Sequence, residues 1–198
     1  MKATRGLRAA LAVCALAACA LAAIAVAAAR AQEAPAAQSA KEVVKAKTYV
    51  SHDPVARGSE FQVAVQLQIA SGFHMNSHKP LDSYLIPTVL TPQLPAGITL
   101  ADTIYPNGRN EKFPFSPDKP LNVYSGSVTL KLKLSADATA PMGAVTIPMT
   151  LRYQACNTSA CLPPVKIPVS AQITVAAGGT KGKALHPEIF AAARATQK

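Results

Sequence analysis

The stretch Tyr153-Gln154-Ala155-Cys156-Asn157-Thr158-Ser159-Ala160-Cys161-Leu162-Pro163-Pro164 constrains the chain more than any other. Two runs with an apolar residue at every second position flank it. Val145, Ile147, Met149, Leu151 and Tyr153 come before it, and Val165, Ile167, Val169, Ala171, Ile173 and Val175 after it. A period of two sends alternate side chains to opposite faces, so each run predicts a strand with one face in a core. Asn157-Thr158-Ser159 between them is turn chemistry, because short polar side chains bond their own backbone. The strands therefore fold back as a hairpin with Cys156 opposite Cys161. Opposed residues on antiparallel strands have Cβ atoms about 4.5–5.5 Å apart, close to what a disulfide needs. An extended segment would hold the two cysteines about 16 Å apart. Parity adds a condition: Cys161 shares the phase of inward Val165 and Ile167, whereas Cys156 shares that of outward Arg152. A bulge must reconcile them, and Pro163-Pro164 is the expected place.

A disulfide closing so short a loop contributes only about 2 kcal/mol in the chain-entropy model, against nearly 5 kcal/mol for a loop of about 100 residues. It is a weak staple. Two readings stand: a structural hairpin bond, or a redox-active pair held on a rigid hairpin and free to exchange.

The N-terminus bears on the compartment. Lys2, Arg5 and Arg8 precede an unbroken apolar run from Ala9 to Ala29, and Ala29-Arg30-Ala31 supplies an A-x-A cleavage site before Gln32. Leu16-Ala17-Ala18-Cys19 also resembles a lipobox, although lipidation there would leave Ala20 to Ala29 as a further apolar tract. The run is long enough to serve as an uncleaved anchor, but its alanine content makes a weak one. The expectation is cleavage after Ala31, export to the periplasm, and no stable membrane insertion thereafter. That leaves 198 − 31 = 167 residues, with Cys156 and Cys161 as the only cysteines. One close pair in an oxidising compartment suits a disulfide. The leader holds four positive charges and no acidic residue, so the net charge falls from +10 to 10 − 4 = +6. These charges are dispersed and no arginine–aromatic stripe accompanies them, which argues against nucleic-acid binding.

Along the rest of the chain, 32–40 reads as a flexible leader. Strands are expected over Val44 to Val50, Phe61 to Ile69, Tyr84 to Thr91, Ile98 to Tyr105 and Val128 to Leu134, besides the two flanking the cysteines. His52-Asp53-Pro54 and Arg57-Gly58-Ser59 read as turns, Gly72 to Pro80 as a loop with two histidines, and proline-rich Pro106 to Pro120 as a surface loop with a task. Pro148 and Pro168 interrupt strand patterns, so they predict edges or bulges. Many short strands without a convincing helix before the tail predict an all-β sandwich. The organisation expected is a signal peptide (1–31), a leader (32–40), one sandwich domain (41–176), and a linker with a short helix (177–198).

The cysteine stretch resembles the active hairpin of the N-terminal periplasmic domain of the thiol:disulfide interchange protein DsbD. The likeness extends to Gly72-Phe73-His74-Met75-Asn76 and Tyr124-Ser125-Gly126, roughly residues 40 to 175. It implies an immunoglobulin-like fold and periplasmic thiol–disulfide exchange without a cofactor, of the kind that supplies electrons for disulfide reduction or cytochrome c biogenesis. The implied partners are a thioredoxin-like domain or membrane electron carrier on one side and periplasmic disulfide proteins on the other. On matching positions Cys161 forms the mixed disulfide with the partner and Cys156 resolves it. The family covers its cysteines with an aromatic-bearing cap loop, here Asn110 to Pro120, with Phe113 as the match and Phe115 beside it. Plain packing of both rings onto the sandwich is the competing reading. Site-adjacent positions are His74, Asn76 and Tyr153. This chain departs from the pattern in having four residues between the cysteines instead of five, Ala160 in place of an aromatic, and His74 and Asn76 in place of tyrosines. The transmembrane and thioredoxin-like domains that follow in the family are not in this sequence, so the electron source is expected on another chain.

Two other functions compete. His74, Met75 and His78, or the dithiol, offer soft ligands suited to Cu(I) in an exported protein. A binding sandwich with a purely structural disulfide needs no reactive residue at all.

Overall fold

The computed structural model describes residues 39–190; the expected signal peptide, its cleavage site and nearly all of the leader lie outside the described residues. A 3-10 turn at Ala40–Glu42 leads into β1 (Val44–Val50), β2 (His52–Asp53), β3 (Val55–Ala56), β4 (Ser59–Ile69), β5 (His74–Asn76), β6 (Val89–Pro92) and β7 (Ile98–Ile104). Then follow β8 (Arg109–Phe113), β9 (Ser116–Tyr124), β10 (Ser127–Ala136), β11 (Gly143–Tyr153), β12 (Ala155–Cys156), β13 (Val165–Ala176), β14 (Lys183–Ala184) and a short helix α1 (Pro187–Phe190).

The strands build an immunoglobulin-like β-sandwich. One sheet has the order β1-β4-β10-β7, the facing one β3-β13-β11-β6. The alternation of β4 puts Phe61, Val63, Val65, Leu67 and Ile69 inside while Gln68 stays exposed. In register across from it, β10 contributes Leu130 opposite Val65 and Leu132 opposite Val63. From the other sheet, Ile147, Met149 and Leu151 of β11 and Ala171 and Ile173 of β13 close the same core. Thr48 on β1 donates its hydroxyl to the Ser170 carbonyl at 3.0 Å, joining the two sheets along one side.

Both prolines sit where their missing N–H does no harm. Thr150 pairs with Pro168, and Pro148 with Ser170, on the β11–β13 ladder. Pro148 turns its carbonyl the other way, to the Gln93 N–H (2.8 Å), just beyond the last β6 pair at Met149 and Pro92. Pro168 lies on a stretch of β13 whose outer edge β3 does not reach, since β3 pairs only with Val175 and Ala176.

Four local expectations are corrected. The strand expected over Tyr84 to Thr91 is reduced to Val89–Pro92; Pro87 cannot donate to a ladder, and the preceding residues form a turn closed by the Leu85 N–H on the Asp82 carbonyl (3.2 Å). His52–Asp53 is not all turn but a two-residue strand paired with Lys183–Ala184. The histidine loop contains β5, which is buried along its whole length. The segment read as a loop from Pro106 to Pro120 belongs to the β8–β9 hairpin. That hairpin has no alternating pattern because most of it is clear of the core; only Leu121, Val123 and Tyr124 at its base are buried.

Candidate functional site at the cysteine hairpin

A third sheet, β12-β5-β9-β8, sits at the end of the sandwich and carries the cysteines. The long β11–β13 ladder ends at the pair Tyr153 and Val165. Beyond it Cys156 and Cys161 form an isolated antiparallel bridge. Two residues, Gln154 and Ala155, separate these pairs on one side, and three, Leu162 to Pro164, on the other. The extra residue is the bulge that parity required, and it falls on the proline side. Ala155 accepts from the Leu162 N–H at 2.8 Å across this irregular step, and Gln154 Nε2 donates to the Leu162 carbonyl at 3.3 Å.

Asn157 builds the turn. Its N–H donates to the Ala160 carbonyl (2.9 Å), and its side-chain oxygen accepts from the N–H groups of Ser159 (2.8 Å) and Ala160 (2.9 Å). The turn holds the cysteine Cα atoms 3.9 Å apart, and the two sulfurs are bonded. The two cysteines differ sharply in exposure: Cys156 is 0% exposed, while Cys161 is on the surface. Disulfide exchange requires a nucleophile to approach one sulfur along the bond, so the accessible half of the pair is at Cys161.

His74 is the antiparallel partner of Cys156, and Met75 that of Ala155. The His74 ring is buried and lies flat against Phe113, with centroids 3.9 Å apart and planes 15° apart. Phe115 stacks outside Phe113 at 5.5 Å and remains 39% exposed. Phe113 pairs with Ser116 at the tip of the β8–β9 hairpin, so the hairpin brings its two aromatic residues over the strand next to Cys156. The base of the hairpin is held by a close approach at Gly108, where a Cβ would run into Asn122 and Ser77. Asn122 in turn donates to Asn110 at 2.6 Å, and its carbonyl accepts from the Ser77 N–H at 2.9 Å.

The remaining site residues divide. Asn76 is fully buried beside the hairpin, with Nδ2 donating to the Ile86 carbonyl (3.1 Å) and reaching Gln154 Oε1 at 3.5 Å. Tyr153 turns into the sandwich core, where its hydroxyl donates to the Ala40 carbonyl at 2.7 Å; burial pushes its pKa up to about 12. His74, Met75 and His78 do not converge. Met75 belongs to the hydrophobic core on the opposite face of β5 from His74. His78 stacks on Tyr105 at 3.6 Å, and its Nδ1 is 3.1 Å from the Thr88 carbonyl. Among the described residues no group of three or more His, Cys, Asp or Glu side chains is placed to hold a metal ion.

Two residues brace β5: Thr88, which sequence reasoning passed over, and Tyr124, which the Tyr124-Ser125-Gly126 likeness contained but to which it gave no role. Thr88 donates to the Asn76 carbonyl at 2.6 Å. Tyr124 accepts from the His78 N–H at 3.3 Å and donates to the Pro106 carbonyl at 2.8 Å. Burial raises the pKa values of Tyr124 and Tyr105. None of these has a signal in spacing or periodicity, because each acts through a contact between segments distant in sequence.

An immunoglobulin-like sandwich with a hairpin disulfide at one end is the arrangement of a thiol–disulfide interchange domain. The chain belongs to the family of the N-terminal domain of thiol:disulfide interchange protein DsbD, which matches residues 40–172. Among solved structures, the reduced N-terminal domain of Neisseria meningitidis DsbD is 19% identical, covering 72% of this chain and 95% of that one, with a TM-score of 0.45. The N-terminal periplasmic domain of ScsB from Proteus mirabilis is 12% identical, covering 65% of this chain and 46% of that one, with a TM-score of 0.43. Among curated proteins, no relative matches.

Proposed function

We propose that this protein is a periplasmic thiol–disulfide carrier in which Cys161 meets the partner and Cys156 resolves the mixed disulfide. The observation that carries this reading is the unequal exposure of the bonded pair, with Cys156 buried and Cys161 at the surface. A partner thiolate attacks Cys161 Sγ; the bond to Cys156 breaks, and Cys156 leaves with the electron pair. The partner's second thiol then releases Cys161, and two electrons have passed to this chain. The reverse sequence hands them to an oxidised protein. Partners of this chemistry are a thioredoxin-like domain or membrane electron carrier and periplasmic disulfide proteins. The leader 1–31 directs export and is removed, and the sandwich 41–176 is the working domain, followed by the tail 177–198. Among the described residues, no helix is long and apolar enough to cross a membrane.

The test is reduction of the native protein by a reduced thioredoxin-type protein, followed by counting free thiols. Ready, reversible reduction at a denaturant concentration far below unfolding is the expected result. A bond that yields only with unfolding would return it to a structural role.

Phe113 and Phe115 act as the cover of the pair in this proposal. Phe113→Ala removes the ring that lies on His74. Alkylation of the reduced protein by a small reagent is expected to speed up, while thermal stability changes little because the hairpin tip is outside the core. An unchanged alkylation rate with a large stability loss would make Phe113 a packing residue.

A further inference from the structure

Two buried side-chain polar atoms among the described residues meet no hydrogen-bond partner: His74 Nε2 and Asn76 Oδ1. Both lie on β5, two residues apart, and so project from one face of that strand. It is the face that looks toward Cys156, because His74 and Cys156 are direct antiparallel partners and opposed side chains share a side. Buried polar groups in native proteins are nearly always paired, so an unpaired one opposite a buried cysteine calls for a cause.

The environment of His74 is apolar. Neither β5 nor β12 carries a charged residue. The charged groups of the covering hairpin, Arg109, Glu111, Lys112, Asp118 and Lys119, have no share in its titration, which burial alone lowers to about 4. The imidazole is therefore neutral at working pH and keeps a lone pair on one ring nitrogen. While Cys156 is bonded to Cys161 its sulfur has no proton to offer. Once the disulfide opens, Cys156 becomes a buried thiol, and the imidazole opposite it in register, on the same side of the paired strands, holds an unpartnered nitrogen.

We propose that His74 is the acceptor of the Cys156 thiol proton, an acceptor left empty in the disulfide form and filled in the dithiol form. This rests on the exchange reading above. On reduction, the partner thiolate bonds to Cys161 and Cys156 departs as a thiolate. It takes a proton from water and the resulting S–H donates to His74. On resolution, Cys156 gives up its proton as the sulfur attacks Cys161, the Cys156–Cys161 bond forms, the hydrogen bond to His74 is lost, and the partner leaves as a thiolate that takes up the proton. Because the bond to His74 exists only in the dithiol, it favours the reduced form and raises the reduction potential.

The experiment equilibrates wild type, His74→Phe and His74→Gln with glutathione buffers of known ratio and counts thiols after acid quenching. Phenylalanine keeps a flat ring beneath Phe113 but offers no acceptor; glutamine offers an acceptor without the ring. His74→Phe is expected to shift the equilibrium about tenfold toward the disulfide, a fall of about 30 mV. His74→Gln is expected to stay within about threefold of wild type. Equal equilibria for wild type and His74→Phe, or equal shifts in both variants, would overturn the proposal and leave His74 a packing residue. If His74→Phe does not fold, reduced Cys161→Ser, which keeps the Cys156 thiol alone, supplies the reading. Its infrared S–H band is expected at the lowered frequency of a hydrogen-bonded thiol, and a band at the free-thiol position would sink the idea. A wild type that glutathione cannot reduce without unfolding would instead count against exchange itself.

Discussion

Cys156→Ser is expected to trap a thioredoxin-like partner as a stable mixed disulfide, and Cys161→Ser is expected to trap next to none. The asymmetry follows from access and from chemistry together. In Cys156→Ser the exposed Cys161 remains to bond with the partner, and the thiol that would displace it is gone. In Cys161→Ser the remaining cysteine, Cys156, is a 0% exposed residue paired with His74 of β5, whose ring lies against Phe113. Thiol–disulfide exchange requires the attacking sulfur to reach its target, so burial blocks the step regardless of thiol acidity. Non-reducing electrophoresis with a partner lacking its own resolving cysteine reads the result directly. Equal trapping by both variants would overturn the assignment of roles while preserving exchange. Trapping by neither, in a wild type that resists reduction, would make the bond structural.

Acid is expected to destabilise the protein through His74. The native imidazole titrates at about 4 because burial disfavours its charged form, whereas an unfolded histidine titrates near 6.5. Between those values the unfolded chain binds a proton that the native one does not, so stability falls as pH drops from about 6.5 to about 4 and levels off below. Above about 6.5 both states are neutral and the contribution vanishes. The full difference amounts to about 3 kcal/mol, or roughly 6–12 °C in melting temperature for a domain of this size. His74→Phe keeps an aromatic ring against Phe113 and removes the titration. Between pH 7 and pH 4.5 the melting temperature of the wild type should therefore fall further than that of the variant. Parallel acid losses in the two proteins would show that His74 does not carry this dependence.

These two results probe different layers of what the chain encodes. Burial against solvent is a periodic demand on half-buried strands, so β4, β10, β11 and β13 were legible from alternation alone. The hairpin was legible too, because turn chemistry at Asn157 and close opposition of two cysteines are local matters. Even the bulge at Leu162 to Pro164 followed from side-chain phase. The β8–β9 hairpin failed to read as one for an equally physical reason: most of it, outside Leu121, Val123 and Tyr124, is clear of the core, and such strands carry no apolar period. Strand β5 failed because it is three residues long and buried on every side, and its pattern His-Met-Asn alternates polar groups toward the cysteine with one apolar group toward the core.

What the sequence determined by itself is the all-β class, the hairpin, and the pairing of Cys156 with Cys161, all consequences of contacts between near neighbours and of a two-residue period. What only the tertiary structure decided is the difference between the two sulfurs, with one buried and the other at the surface, and the placing of His74 between Cys156 and Phe113. Those depend on β5 and the β8–β9 hairpin meeting the cysteines across about 80 and about 40 residues of chain, and no local rule specifies which distant segments pack together.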